Sequence, residues 1–193
     1  VGSQVPRIEL GTGVVPTYPR HPLMLASQAL TTNQVCEGRL MLGIGLSHQL
    51  VIEDMLGLSY EKPARHMREY LSVLMPLLRG EPVSFQGETI STTGALSISG
   101  IPTPPVLVAA LGSMMLKLAG TVADGTVTWM TGPATLESHI VPTITTAASQ
   151  AGRPAPRVAV GLPVCVTDDP DAARDLAAAQ FSVYGMLPSY RAM

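Results

Sequence analysis

An α/β fold built around a parallel sheet is what the sequence predicts, on three observations. Apolar runs alternate with segments of helical spacing along the whole chain. The runs at 39–46 (RLMLGIGL) and 106–111 (VLVAAL) are almost continuous in apolar residues, the mark of strands covered on both faces. Each run then breaks into glycine, proline or small polar residues before the next helical stretch, as strict strand–helix alternation requires.

The totals narrow the class further. A chain of 193 residues with 46% hydrophobic and 13% charged residues suits one domain with a real core and excludes a disordered chain. No apolar run reaches the ~20 residues of a membrane helix. The start, VGSQVPRIEL, has no basic stretch followed by an apolar one. The expectation is a cytoplasmic protein with no membrane partner. A formal net charge of -2 without a basic block argues against nucleic acid. Cys36 and Cys165 lie far apart and read as free thiols in a reducing compartment. His21, His48, His66 and His139 lack metal-ligand spacing, so no metal site is expected.

Taken in order, residues 7–15 (RIELGTGVV) read as a strand whose two inner glycines mark a bulge or a close backbone approach. Pro16, Pro19 and Pro22 hold the next loop extended, and His21-Pro22 opens a helix. Leu23, Ala26, Leu30 and Val35 give its stripe and Gly38 ends it. The central strand follows over 39–46, then an irregular link over 47–60. Met67, Leu71, Leu74, Leu77 and Leu78 place a helix over 63–79, with Pro76 bending or loosening its last turn. Residues 81–100 read as an exposed hairpin inserted between two strand–helix units. A third buried strand at 106–111 leads through Gly112-Ser113 into a helix over 114–123. Asp124-Gly125 turns back into a strand over 126–130. Thr131-Gly132-Pro133 opens a helix over 134–151, and a fifth strand spans 157–166. Asp168-Asp169-Pro170 caps a last helix running through Tyr184.

An open doubly wound sheet and a closed (β/α)8 barrel both satisfy this order. In either, ligands sit beyond the carboxyl ends of the strands, which places the chemistry at Gly43-Ile44-Gly45-Leu46-Ser47-His48. By itself a GxG at a strand end is commonly a tight turn and nothing more. The sharp turns at Gly13, Gly45, Gly112, Gly132 and near Pro163 would line one rim, as in a barrel.

Residues 10–47 (LGTGVVPTYPRHPLMLASQALTTNQVCEGRLMLGIGLS) and 107–129 (LVAALGSMMLKLAGTVADGTVTW) together resemble the luciferase-like monooxygenase superfamily. They are most similar to its branch of oxidoreductases that use a deazaflavin, coenzyme F420, in mycobacteria and their relatives. The resemblance covers about residues 7–190. It implies a TIM (β/α)8 barrel, here incomplete, with about five strand–helix units in one domain. The first two strands and the last are absent, so a fragment of a longer protein is expected.

The resemblance also implies site residues. A non-prolyl cis peptide in the first strand would press on the cofactor ring, and the matching bond is Gly13-Val14. The turn Gly45-Leu46-Ser47-His48 would meet the cofactor's central portion. Some relatives carry a carboxylate where His48 stands, and His48 is the candidate catalytic residue here. The turns Ala109-Ala110-Leu111-Gly112-Ser113 and Met130-Thr131-Gly132 are similar to the family's phosphate-binding pair. Each opens a helix whose positive end attracts an anion. Lys62 and Lys117 stand off that rim. Trp129, at a strand end, suits a pocket wall or the core equally.

The implied function is hydride transfer between F420 and a small organic substrate, by a homodimer. The alternatives are a flavin mononucleotide (FMN) monooxygenase, and a non-catalytic truncated barrel serving as a structural or partner-binding subunit.

Overall fold

The computed structural model describes residues 1–98 and 100–191. In chain order it forms β1 (Leu10–Gly11), β2 (Val15–Pro16), α1 (Pro22–Val35), β3 (Leu40–Gly45), a π-helical turn at Val51–Met55 and α2 (Pro63–Leu78). The hairpin β4 (Val83–Gln86) and β5 (Ser91–Gly94) follows. Then come β6 (Val106–Ala109), α3 (Ser113–Val122), β7 (Gly125–Trp129), α4 (Pro133–Thr135), a second π turn at Leu136–Ile140 and α5 (Val141–Gln150). The chain continues as β8 (Arg157–Gly161), α6 (Pro170–Phe181), a 3-10 turn at Ser182–Met186 and α7 (Pro188–Arg191).

The main sheet is parallel and runs β1-β3-β6-β7-β8, with β2 also on β3. Strand order follows chain order. A doubly wound sheet reverses its order at a switch point, and none occurs among these strands. The molecule is therefore an incomplete (β/α) barrel. Alternation along β3 sends Leu40, Leu42 and Ile44 outward to the helices and Met41, Gly43 and Gly45 inward. The outward set packs with Val106, Val108 and the α2 residues Met67, Tyr70, Leu71, Leu74 and Leu77 in one buried cluster. Each such side chain contributes about 1.5–3 kcal/mol of burial.

The first strand is broken, not continuous over 7–15. Leu10 and Gly11 pair with Leu40 and Met41, but Val15 and Pro16 pair with Ile44 and Gly45. The first strand thus spends one residue more than β3 over the same distance, which is a bulge. Three further expectations need adjusting. Val35 is 57% exposed, and the buried stripe of α1 is Leu25, Ala26, Ala29, Leu30 and Asn33. The helix expected over 134–151 contains a π turn. Pro142 has no N–H to donate, and the preceding Val141 N–H reaches back five residues to the Leu136 carbonyl. The fifth strand stops at Gly161, not at 166. β7 ends at Trp129, Met130 turns left-handed at φ 54, and its N–H bonds Gly161 O as the last rung.

Glu69 on α2 secures the hairpin insertion by accepting the Glu88, Thr89 and Ile90 N–H groups and the Thr89 hydroxyl. Burial alone would raise its carboxyl; those bonds and Arg65 outweigh it and hold it below the usual value. Lys62 and Arg65 both pair with Glu88. Among the described residues no helix is long and apolar enough to cross a membrane.

At the α3–α5 crossing, a Cβ on Gly120 would stand 2.5 Å from the Ile144 carbonyl oxygen and 2.9 Å from the Ala147 Cβ. Gly120→Ala gains about 1 kcal/mol of helix propensity but forces two backbones apart, an overpacking cost of about 1–3 kcal/mol. The expected outcome in urea unfolding is a net loss of stability. A gain would show that the two helices part freely.

Candidate active site

All five strand ends carry their turns to one rim, and the rim is built from β2 and β3 outward. Thr12 clamps the bulge: its hydroxyl donates to Gly43 O at 2.8 Å and accepts the Gly43 N–H at 2.9 Å. The next peptide bond but one, Gly13-Val14, is cis. Val14 leans over the inner face of β3, where a Cβ on Gly45 would come within 2.7 Å of its side chain and 3.0 Å of Ala109. Glycine at 45 is what lets Val14, β3 and β6 meet. Beyond it, Ser47 adopts a left-handed φ of 62, a conformation that costs a non-glycine residue about 1–2 kcal/mol.

The structure thus gathers Gly13, Val14, Gly45, Ser47, His48, Ala109, Gly112 and Ser113 at the carboxyl ends of neighbouring strands, with Met130 and Gly132 beyond them. Ala110 is instead buried in the core, and Leu46 and Leu111, partly buried, pack against that core. Thr131 is enclosed, and its hydroxyl, like that of Thr128, has no partner. Lys62, the N-cap residue of α2, pairs with Glu88 of the hairpin, and Lys117 lies within α3.

Two turns suit an anion. Gly112 and Gly132 are the N-caps of α3 and α4, both in extended backbone with φ -76 and -70, and neither helix has a side-chain cap. Such positions favour Ser, Thr, Asp or Asn. Neither φ demands glycine here, and a Cβ at either position, or at Gly13, would meet nothing within 4 Å. Open space and uncapped N–H groups are what a phosphate-bearing cofactor needs.

His48 is partly buried, with the Tyr184 and Tyr190 rings each 6.4 Å away. Burial holds its imidazole below the usual histidine value, so it is neutral at pH 7. Trp129 is 38% exposed and lies against Gly161 and edge-on to Phe181 at 6.3 Å. It belongs to the wall of the rim, not the core. A separate cleft of about 500 Å³, lined by Leu30, Leu78, Arg79, Leu96, Ile98 and Ile101, opens at the far end of α1 and α2, away from this chemistry. Among the described residues no three His, Cys, Asp or Glu side chains gather to hold a metal.

A family model described as luciferase-like monooxygenase matches residues 2–192. The chain belongs to the luciferase-like monooxygenase family. Two 5,10-methylenetetrahydromethanopterin reductases are among its relatives. That of Methanolobus tindarius is 35% identical over 91% of this chain and 53% of its own length. That of Methanopyrus kandleri is 32% identical over 86% and 52%. The chain spans about half the length of the curated relatives it matches. The solved coenzyme F420 dependent tetrahydromethanopterin reductase from Methanopyrus kandleri superposes with a TM-score of 0.75 at 28% identity, covering 96% of this chain and 58% of that one. An F420-dependent secondary alcohol dehydrogenase shares the luciferase-like fold with a TM-score of 0.81 at 22% identity.

Behind the rim, several residues were not singled out from the sequence. His66, Tyr18 and Tyr60 stand behind the first two turns, and His139 Nε2 meets the Leu111 carbonyl at 2.8 Å. Helical spacing hinted at His66 alone, one residue before Met67 of the buried stripe.

Burial lowers the imidazole value of His66 as well as His48; Glu69 opposes it at His66 without reversing it. The unfolded chain therefore takes up these protons first, near pH ~6.5. Their stabilising contribution is present above that pH and lost as pH falls through the window below it. Thermal unfolding is expected to drop between pH 7 and 5.5, and His66→Gln should flatten that drop. An equal slope in wild type and variant would assign the pH dependence elsewhere.

Proposed function

We propose that this chain carries the cofactor-binding rim of an oxidoreductase that moves a hydride between coenzyme F420 and a small organic substrate. The observation that supports it most is the pairing of the Thr12-clamped bulge beside Val14 with two glycine N-caps that neither φ nor packing demands. The F420 named for the Methanopyrus kandleri reductase has a ring to rest on the bulge and a phosphate to meet the N-caps. When bound, it supplies the two-electron hydride chemistry.

The chain's own residues do the rest. Val14 presents a small apolar surface on the inner face, and Gly45 and Ala109 keep that surface free of bulk. The backbone N–H groups of Gly112 and Ser113, and of Gly132, hold negative charge at two helix starts. Neutral His48 orients the substrate and accepts a proton from it. The aromatic rings of Trp129, Phe181 and Tyr184 wall out water. A cytoplasmic setting, which the unpaired thiols of Cys36 and Cys165 suit, and a homodimer belong to the same proposal. An FMN-dependent, oxygen-using reading has the family description in its favour.

Fluorescence titration with oxidised F420 and with FMN separates the two. F420 is expected to bind selectively. Gly112→Asp sharpens the test, because aspartate is a favoured N-cap and places negative charge where the phosphate would sit. Thermal stability should hold or rise while F420 affinity falls by ~10-fold or more. Unchanged affinity would remove the anion site from this turn, and a preference for FMN would overturn the deazaflavin reading.

A further inference from the structure

Tyr18, Tyr60, His66 and Tyr70 form a continuous stack behind the β2–β3 rim. Tyr70, fully buried, donates to Arg20 O at 2.8 Å and tilts against His66 at 5.8 Å. The His66 ring lies parallel to Tyr18, 4.0 Å between centroids and 5° between planes. Its Nε2 is 3.1 Å from the Thr17 hydroxyl, which can give or take the hydrogen. Tyr18 leans on Tyr60 at 5.1 Å and donates to Glu61 O at 3.2 Å.

Two members of this stack, His66 and Tyr60, reach the rim. The Thr17 N–H donates to Gly45 O at 2.9 Å, so the side chain that His66 grips belongs to a residue already fastened to the end of β3. The Tyr60 hydroxyl donates to Ser47 O at 3.3 Å, the carbonyl of the left-handed residue. Glu53 fixes the loop between them, accepting from Tyr60 N–H at 3.2 Å and Gln49 Nε2 at 2.8 Å. A left-handed serine is held only where its surroundings over-determine it, and Tyr60 supplies that constraint from behind.

We propose that Tyr60 and His66 are positioning residues. Together they fix the Thr17 and Ser47 backbones and so set where the Ser47–His48 turn stands over the Gly13-Val14 bulge. The strut rests on the F420 reading for its purpose, though its effect on the turn does not. α2 thereby acts on the rim without contributing a side chain to it.

The test uses the full chain in four forms: wild type, Tyr60→Phe, His66→Phe and His66→Gln. Amide hydrogen exchange is measured without ligand, and affinity is measured by F420 fluorescence. Tyr60→Phe keeps the ring and removes one hydroxyl. It is expected to speed exchange several-fold at residues 46–49, leave global unfolding near wild type, and weaken F420 by ~5-fold. His66→Phe keeps the stack, loses the Thr17 bond and should act in the same direction. His66→Gln retains a hydrogen-bonding group toward Thr17 and should recover most of the affinity, which a merely bulky role for the ring does not predict. Wild-type exchange at 46–49 in Tyr60→Phe would overturn the strut. A wild-type chain that binds no F420 would overturn the functional reading, while the exchange result still decides the strut.

Discussion

The clamp of Thr12 on Gly43 is the interaction on which the rim depends. The first strand carries one residue more than its partner, and an extra residue in a parallel pair leaves ladder groups without their usual partners. Thr12 resolves this by giving a hydrogen bond to Gly43 O and taking one from Gly43 N–H. Its hydroxyl stands in for a rung of the ladder. Gly43 has to be glycine, because a Cβ there would collide with the Thr12 carbonyl oxygen. With the clamp closed, Val14 is delivered to the inner face and strand pairing resumes at Val15.

The proposed site is arranged around that local exception. The outward face of β3 obeys ordinary core rules, with Leu42 and Ile44 fully enclosed. The inward face carries Gly43, Gly45 and Ala109 and keeps room for a ligand. In the proposed site, positive charge toward a ligand would come from backbone N–H groups at helix starts, while Lys62 is engaged with Glu88. A site of this kind favours an anion of fixed shape held close to the backbone.

Much of this was legible along the chain. Near-continuous apolar runs, helical stripes and proline–glycine punctuation located most of the strands and helices, and the small-residue turns fell on one rim. The misses had separate causes. Pro142, within its own helix, goes with a π turn, β7 ran out and ended β8 at Gly161, and Val35 was left outward at the end of α1. The supports of the site were less readable. Tyr60 and His66 lie 13 and 49 residues from the partners they hold, and His139 is 28 residues from Leu111.

By itself the sequence determined the α/β class and the order of elements, because burial periodicity and turn chemistry are local properties that survive without knowledge of the partner. It also pointed to the strand ends as the place for a ligand, because a parallel sheet places its ligands there. The tertiary structure alone decided that strand order never reverses, which makes the sheet part of a barrel. It also decided that Gly112 and Gly132 face open space, that Ala110 and Thr131 are enclosed, and that an aromatic stack from α2 fixes the turn at Ser47. Those are matters of what lies opposite a residue across the fold, and hydrogen bonds between distant segments leave no period in the chain.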